Sequence, residues 1–291
     1  MSSLNSISSE KLWRLIGVPH GPALIDVRSE EDFAADPRFI PGAVRRAHAT
    51  VSGWGSEFAG RPAVIICENG QALSEGVAAS LRHARASSAE ILVGGHAAWA
   101  QAGLPLIPES KLPLRDAQGR TVWVTRERPK IDRIACPWLI RRFVDPAAVF
   151  LFVSPAEVHA VSERFNGAPF DVEGVFWSHR GGRCTFDVLI EELGLQIEPL
   201  AKLTAMVRGA DTARLDLTPE AAGLAALSLG LSRMYSDDLE QLQAAMTLYD
   251  AFYRWARDAS DERHDWPTNA PKQVAERRRT GAARPDSARA K

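Results

Sequence analysis

Ala63-Val64-Ile65-Ile66-Cys67-Glu68-Asn69-Gly70-Gln71-Ala72 decides how the first half of this chain folds. It opens as a short, continuous apolar run, is interrupted at Gly70, and gives way to a helical pattern from Ser74 to His83. Two more runs of the same kind lie on either side, Ala23-Leu24-Ile25-Asp26-Val27 and Glu90-Ile91-Leu92-Val93. Strands buried on both faces and alternating with helices predict a parallel α/β sheet. In such sheets ligands sit beyond the carboxyl ends of the strands, and Cys67 stands at one of those ends.

The other two cysteines are Cys136, in Asp132-Arg133-Ile134-Ala135-Cys136-Pro137-Trp138, and Cys184, in Gly181-Gly182-Arg183-Cys184-Thr185-Phe186-Asp187. All three read as points where a strand or loop hands over to a helix. A helix N-terminus favours thiolate over thiol and attracts oxyanions. A small buried hydrophobe is the alternative for any one of them; three together shift the expectation toward thiol or oxyanion chemistry.

The length of 291 residues predicts two domains, each with its own core. Lys and Arg number 35 against 36 Asp and Glu, a net charge of −1, which argues against nucleic acid as a partner. The first residues lack the pattern of an export signal and no apolar run is long enough to span a membrane. With an odd number of widely spaced cysteines, a reducing cytoplasmic location is expected. From Thr268 to Lys291 the apolar periodicity stops, and seven basic residues stand against Glu276 and Asp286, which predicts a disordered basic tail over 268–291.

A proline-spotted link from Pro105 to Pro113 separates the halves. Beyond it, Thr121–Thr125 and Ala148–Val153 read as strands, with a helix from Pro137 to Phe143 between them. Pro137 is expected at the first helical position, because inside a helix it would remove a hydrogen bond, and Cys136 is then the N-cap. Downstream the pattern is helical over Cys184–Leu193, Pro199–Arg208, Pro219–Ser232 and Asp237–Asp258. The apolar stripe of the last helix, including Leu239, Leu242, Met246, Tyr249 and Tyr253, reads as core packing.

Ser178-His179-Arg180-Gly181-Gly182-Arg183-Cys184-Thr185 places a histidine, two arginines and two glycines ahead of a helix start. Such a loop could wrap a tetrahedral oxyanion, with Arg180 and Arg183 as forks and backbone N–H groups as the cradle. Alternatively His179 and Cys184 could be two ligands of a soft metal ion, with Cys136 or His264 completing the set. Arg208 and Asp211, and the run Glu262 to Trp266, either join this site or serve as helix cap and surface.

The first half resembles the rhodanese domain. The resemblance rests on Leu24-Ile25-Asp26-Val27-Arg28 with Phe33, Ile40-Pro41-Gly42-Ala43-Val44, the strand ending in Cys67 with Gly70, and Val93-Gly94-Gly95 through Trp99 to Gly103-Leu104-Pro105. It implies that Cys67 is catalytic and takes up sulfane sulfur as a persulfide, inside a substrate-binding loop formed by Glu68, Asn69, Gly70 and Gln71. Active loops of the family usually carry an arginine or hydroxyl-bearing residue. Glu68 instead puts negative charge beside the thiol, which is expected to repel thiosulfate, and Phe39 replaces the usual histidine before Ile40-Pro41-Gly42-Ala43.

The second half resembles the C-terminal domain of the chromate resistance protein B family. The matching residues are Arg128 through Phe143, His179-Arg180-Gly181, Cys184-Thr185-Phe186-Asp187, Val207 through Thr212, and Tyr249-Asp250-Ala251. This implies a role in chromate resistance or sensing. The expected architecture is α/β: a rhodanese-like parallel sheet flanked by helices over 9–108, then a mainly helical α+β domain over 119–267. The expected function is oxyanion or metal stress handling through thiols, with a small oxyanion or sulfur donor as partner. The alternatives are a sulfurtransferase with a helical accessory domain, or a non-enzymatic chromate or metal sensor.

Overall fold

The apolar runs of the first half form the centre of a five-stranded sheet. Its strands are β1 (Ser6–Ile7), β2 (Ala23–Asp26), β3 (Ala43–Arg45), β4 (Pro62–Ile66) and β5 (Ser88–Leu92). They lie in the order β1-β5-β4-β2-β3 and every pairing is parallel. Because successive strand residues point to opposite faces, the runs bury both. Ile25, Ile65 and Cys67 pack with Trp54, Phe58, Val77 and Leu81, the last two from the helix Ala72–His83. Leu24, Val64 and Ile66 belong to a second cluster on the other face.

That second cluster does not stop at the linker. It runs on through Trp123, Trp138, Phe143, Phe186, Leu203 and Tyr253, so one apolar interior crosses from half to half while the cluster around Ile65 stays within the first. The Gly42 N–H donates to the Phe143 carbonyl across this seam at 2.6 Å. The computed structural model describes residues 5–262, and the two halves make one compact unit through Ser260. The expected tail, 268–291, and His264 lie outside the described residues.

The second half starts with a small parallel sheet of β6 (Val122–Arg126), β7 (Val149–Val153) and β8 (Ala168–Pro169), with β6 in the middle. Helices follow over Thr185–Glu192, Glu198–Asp211, Ala221–Met234 and Asp238–Asp258. The last is started by Asp237, whose carboxylate accepts the N–H groups of Leu239 and Glu240. Its stripe of Leu242, Met246, Tyr249 and Tyr253 is buried, whereas Leu239 faces solvent. Trp138 sits at the hub, with ring centroids of Phe143, Phe186, Tyr249 and Tyr253 at 5.9, 6.5, 6.0 and 5.7 Å.

One helix begins earlier than its proline predicts. It spans Asp132–Leu139, with Ile131 as N-cap and Pro137 inside, so Cys136 is a helix-interior residue and not a cap. Pro137 cannot donate to the Arg133 carbonyl, a loss of about 3 kcal/mol in an isolated helix. Here nearly every side chain of the helix is buried, and packing of that extent overrides local propensity. The helix then widens into a π turn over Ile140–Val144, closed by the Asp145 N–H on the Ile140 carbonyl at 2.8 Å.

Candidate functional site

Four elements of the second half end at one point. Asp132 is the first residue of its helix, and Asp211 is the last residue of Glu198–Asp211. Asp171 follows β8 in a left-handed conformation, φ +52°. His179 lies in the loop that leads to Thr185, the first residue of the next helix. His179 Nε2 stands 3.4 Å from Asp132 Oδ2, 3.4 Å from Asp171 Oδ1 and 3.2 Å from Asp211 Oδ2. The Thr185 N–H donates to Asp132 Oδ2 at 2.5 Å and its hydroxyl to Asp171 Oδ1 at 3.0 Å, which fixes two of the carboxylates.

A single imidazole N–H cannot satisfy three carboxylates. Ligand atoms about 2.1–2.3 Å from a common ion and at right angles to one another lie about 3.0–3.3 Å apart. The separations around His179 Nε2 are close to those of neighbouring ligands on an octahedral ion. Asp132 is 1% exposed, and its Oδ1 has no hydrogen-bond partner. A buried carboxylate oxygen without a partner is an exception that needs a physical cause.

The electrostatics agree. Burial pushes the Asp132 carboxyl up to about 6; His179 opposes that shift, and Asp211 and Asp171 reinforce it. Hydrogen bonds to the three carboxylates, Asp132 first, push His179 up to about 12. Asp171 is different. Burial acts against its charge, yet His179, Arg133, Arg126 and the Thr185 hydroxyl hold its carboxyl below the ordinary range. Arg126 and Arg133 reach Asp171 Oδ2 at 3.1 and 3.2 Å. An oxygen and nitrogen set of this kind suits a hard or borderline divalent cation.

The residues expected from sequence are placed differently. Among the described residues the metal-compatible convergence is Asp132, His179 and Asp211, not Cys136, His179 and Cys184. Cys136 and Cys184 are fully buried. Burial, reinforced by the negative charge of Asp132, raises both thiols well above the ordinary cysteine range, so they are held as neutral thiols. Cys184 does cap its helix, its N–H donating to Asp187 Oδ2 at 3.0 Å. Arg180 pairs with Glu192, and Arg183 with Glu191, at the exposed surface. Neither guanidinium joins His179, and three carboxylates would repel the oxyanion that loop was expected to cradle.

Cys67 marks a second candidate, at the carboxyl end of β4 in the first half. It is 4% exposed, and its Sγ accepts the Gln71 N–H at 3.3 Å. The loop is locked from below: the His96 N–H donates to the Cys67 carbonyl at 2.9 Å and the Ala97 N–H to the Glu68 carbonyl at 3.0 Å. Gly70 and Gly95 take φ of +66° and +57°. A Cβ on Gly95 would overlap the Cys67 carbonyl and one on Gly70 the Leu92 carbonyl, so only glycine fits either position. Asn69 and Gln71 are exposed. Glu68 Oε2 is buried without a hydrogen bond, 4.0 Å from His96 Nδ1, and burial raises its carboxyl against the pull of Arg28.

Residues 8–102 match the rhodanese-like domain family, and residues 123–256 match the family described as ChrB, C-terminal domain. Protein ChrB of Cupriavidus metallidurans is 35% identical over 146 residues, which cover 49% of this chain and 43% of that protein. The chain thus matches less than half the length of that relative. Among solved structures, a rhodanese-related protein from Thermoplasma volcanium is 17% identical, with a TM-score of 0.31, over 36% of this chain and 99% of its own. A thiosulfate sulfurtransferase from Pseudomonas aeruginosa is 25% identical, with a TM-score of 0.31, over 36% of this chain and 19% of its own. The chain therefore joins a rhodanese-like domain, residues 8–102, to a ChrB C-terminal domain, residues 123–256.

Proposed function

We propose that this chain acts in chromate or metal stress by holding one divalent cation in its ChrB domain, on Asp132, His179 and Asp211, with Asp171 beside them. The observation that carries this reading is the approach of three carboxylates to His179 Nε2 at 3.2–3.4 Å. The orphaned Asp132 Oδ1 supports it. Oxygen-rich donors favour magnesium, manganese, ferrous iron or zinc over soft, thiolate-bound metals. A cation there would also offset most of the negative charge of the carboxylates. Without it the carboxylates repel an oxyanion; with it an oxyanion oxygen or a water molecule gains a Lewis-acidic partner.

Equilibrium dialysis of the full chain against Mn²⁺, followed by elemental analysis, tests the reading. It predicts one ion per chain, with affinity falling by about a hundredfold or more in Asp211→Asn. A wild-type chain that retains no manganese or zinc overturns it.

A second reading concerns the rhodanese-like domain: Cys67 carries sulfane sulfur. The Gln71 N–H on Cys67 Sγ, in a loop closed by Gly70 and Gly95, favours it. Cys67 thiolate would attack the outer sulfur of thiosulfate. A new S–S bond forms, the donor S–S bond breaks, and sulfite leaves with the bonding pair. Mass spectrometry after incubation with thiosulfate should find one added sulfur, absent in Cys67→Ala; an unmodified wild-type chain removes this reading. All three cysteines are free, and no described helix is long and apolar enough to cross a membrane.

A further inference from the structure

At the seam between the two domains lies a cavity of about 530 Å³, within the ordinary size range of small-molecule sites. Both domains line it. The rhodanese-like domain contributes Arg46 and Arg61, the ChrB domain contributes Arg141 and Arg142, and Glu57 is the one carboxylate in the lining. Four guanidinium groups against one carboxylate is an imbalance that the rest of the protein does not fully correct.

Arg142 is accounted for. Its Nε and Nη2 donate to the two Asp250 oxygens, each at 2.7 Å. The other three are not. Arg141 is half-buried and makes no hydrogen bond or ion pair with any described residue; its guanidinium lies 5.1 Å from the centroid of the Phe150 ring. Burial, with repulsion from Arg142, disfavours its charge. The Arg61 guanidinium likewise has only a ring contact, with Phe58 at 5.8 Å. Arg46 reaches Glu57 at 3.3 Å through Nη2, but its Nε is buried with no acceptor.

A guanidinium presents its donors in a fixed fork, and a partly desolvated one gains most from an anion with several acceptor oxygens. We propose that the seam cavity binds a tetrahedral dianion, either free or as the phosphate group of a small organic ester, held by Arg46 and Arg61 on one side and Arg141 on the other. The cavity exceeds what a bare tetrahedral anion fills, and its lining includes Leu15, Ile16, Val18 and Phe58, apolar surface for an organic body. Because the ligand would touch both domains, binding strengthens their junction. The acidic cluster around His179 takes no part in this site.

Calorimetric titration of the full chain at low ionic strength, with sulfate in one arm and phenyl phosphate in the other, tests the proposal. Binding should weaken as salt is added. Arg61→Glu is an exposed change that leaves the fold intact, and it should lower affinity about tenfold or more, as should Arg141→Gln. Glu57→Gln should raise affinity, since it removes the sole opposing charge and frees Arg46. Arg183→Ala should leave affinity unchanged, which separates this site from the surface arginine loop. Tighter binding of phenyl phosphate than of sulfate assigns the ester; equal binding assigns the free anion. Absence of binding in both arms, or affinities indifferent to Arg61, Arg141 and Glu57, overturns the proposal.

Discussion

Asp26 and Asp132 are equally buried, each 1% exposed, and their surroundings are opposite. Asp26 faces Arg28, itself 2% exposed, which donates to both its oxygens from Nε at 3.1 and 3.0 Å and from Nη2 at 2.7 Å. Two further donors of Arg28 go to the carbonyls of Asp36 and Arg38 at 2.9 and 2.8 Å. Every formal charge there has a counterpart, and the pair serves the architecture of the rhodanese-like domain. Asp132 faces two further carboxylates and a histidine, with one oxygen left over. Burial alone therefore does not separate structural charge from functional charge; the balance of partners does.

The contrast can be broken most severely at Arg28. Arg28→Met should cost about 3–5 kcal/mol in urea unfolding, because it leaves Asp26 charged and uncompensated in the core. A loss near zero would mean that the pair contributes little and that the two aspartates are not so different.

At the other site, removing charge should help the empty protein. Asp132 has its carboxyl raised to about 6, above the ordinary 3.8, so the folded state holds that proton more tightly than the unfolded state does. The associated stability is full below about pH 4 and is lost as pH rises through about 6. Asp132→Asn should match the wild type at pH 4. In metal-free protein it should be more stable at pH 7.5, by on the order of 2 kcal/mol, while binding the cation far more weakly. Denaturant melts at the two pH values in the presence of a chelator check this; a variant less stable at pH 7.5 would contradict it.

The smallest effect is expected at Arg183. Its guanidinium pairs with Glu191 at the surface, so Arg183→Ala should change neither cation affinity nor thermal stability measurably. A clear loss of either would restore the arginine loop to the site.

Much of the fold is legible in the chain because it is written locally. The runs at 23–27 and 63–67 alternate between the two apolar clusters residue by residue, and the Thr185–Glu192 helix follows directly from its Cys184 cap. The Asp132–Leu139 helix is harder to read: Pro137 signals a start, and only the surrounding core explains why it is an interior residue. The acidic cluster around His179 is less legible still. Asp132 opens a helix and Asp211 closes one, ordinary places for an acid or a cap, and the residues that converge there are scattered from 132 to 211. His179 stood out because its neighbours did, but Arg180, Arg183 and Cys184 drew attention to the wrong faces of that loop. The thiols misled for a related reason. Cys136 is not at a helix start at all, and at Cys184, which is, burial and the charge of Asp132 outweigh the helix dipole.

The most direct test of the central claim asks whether cation binding follows the carboxylates and histidine or the thiols. Isothermal titration of Mn²⁺ into the full chain should give one site per chain. That site should persist in the double variant Cys136→Ala/Cys184→Ala and should disappear in His179→Ala, whose half-exposed ring can be removed without opening the core. Binding that survives His179→Ala but is lost with the two cysteines would contradict the account and return the centre to a thiolate site.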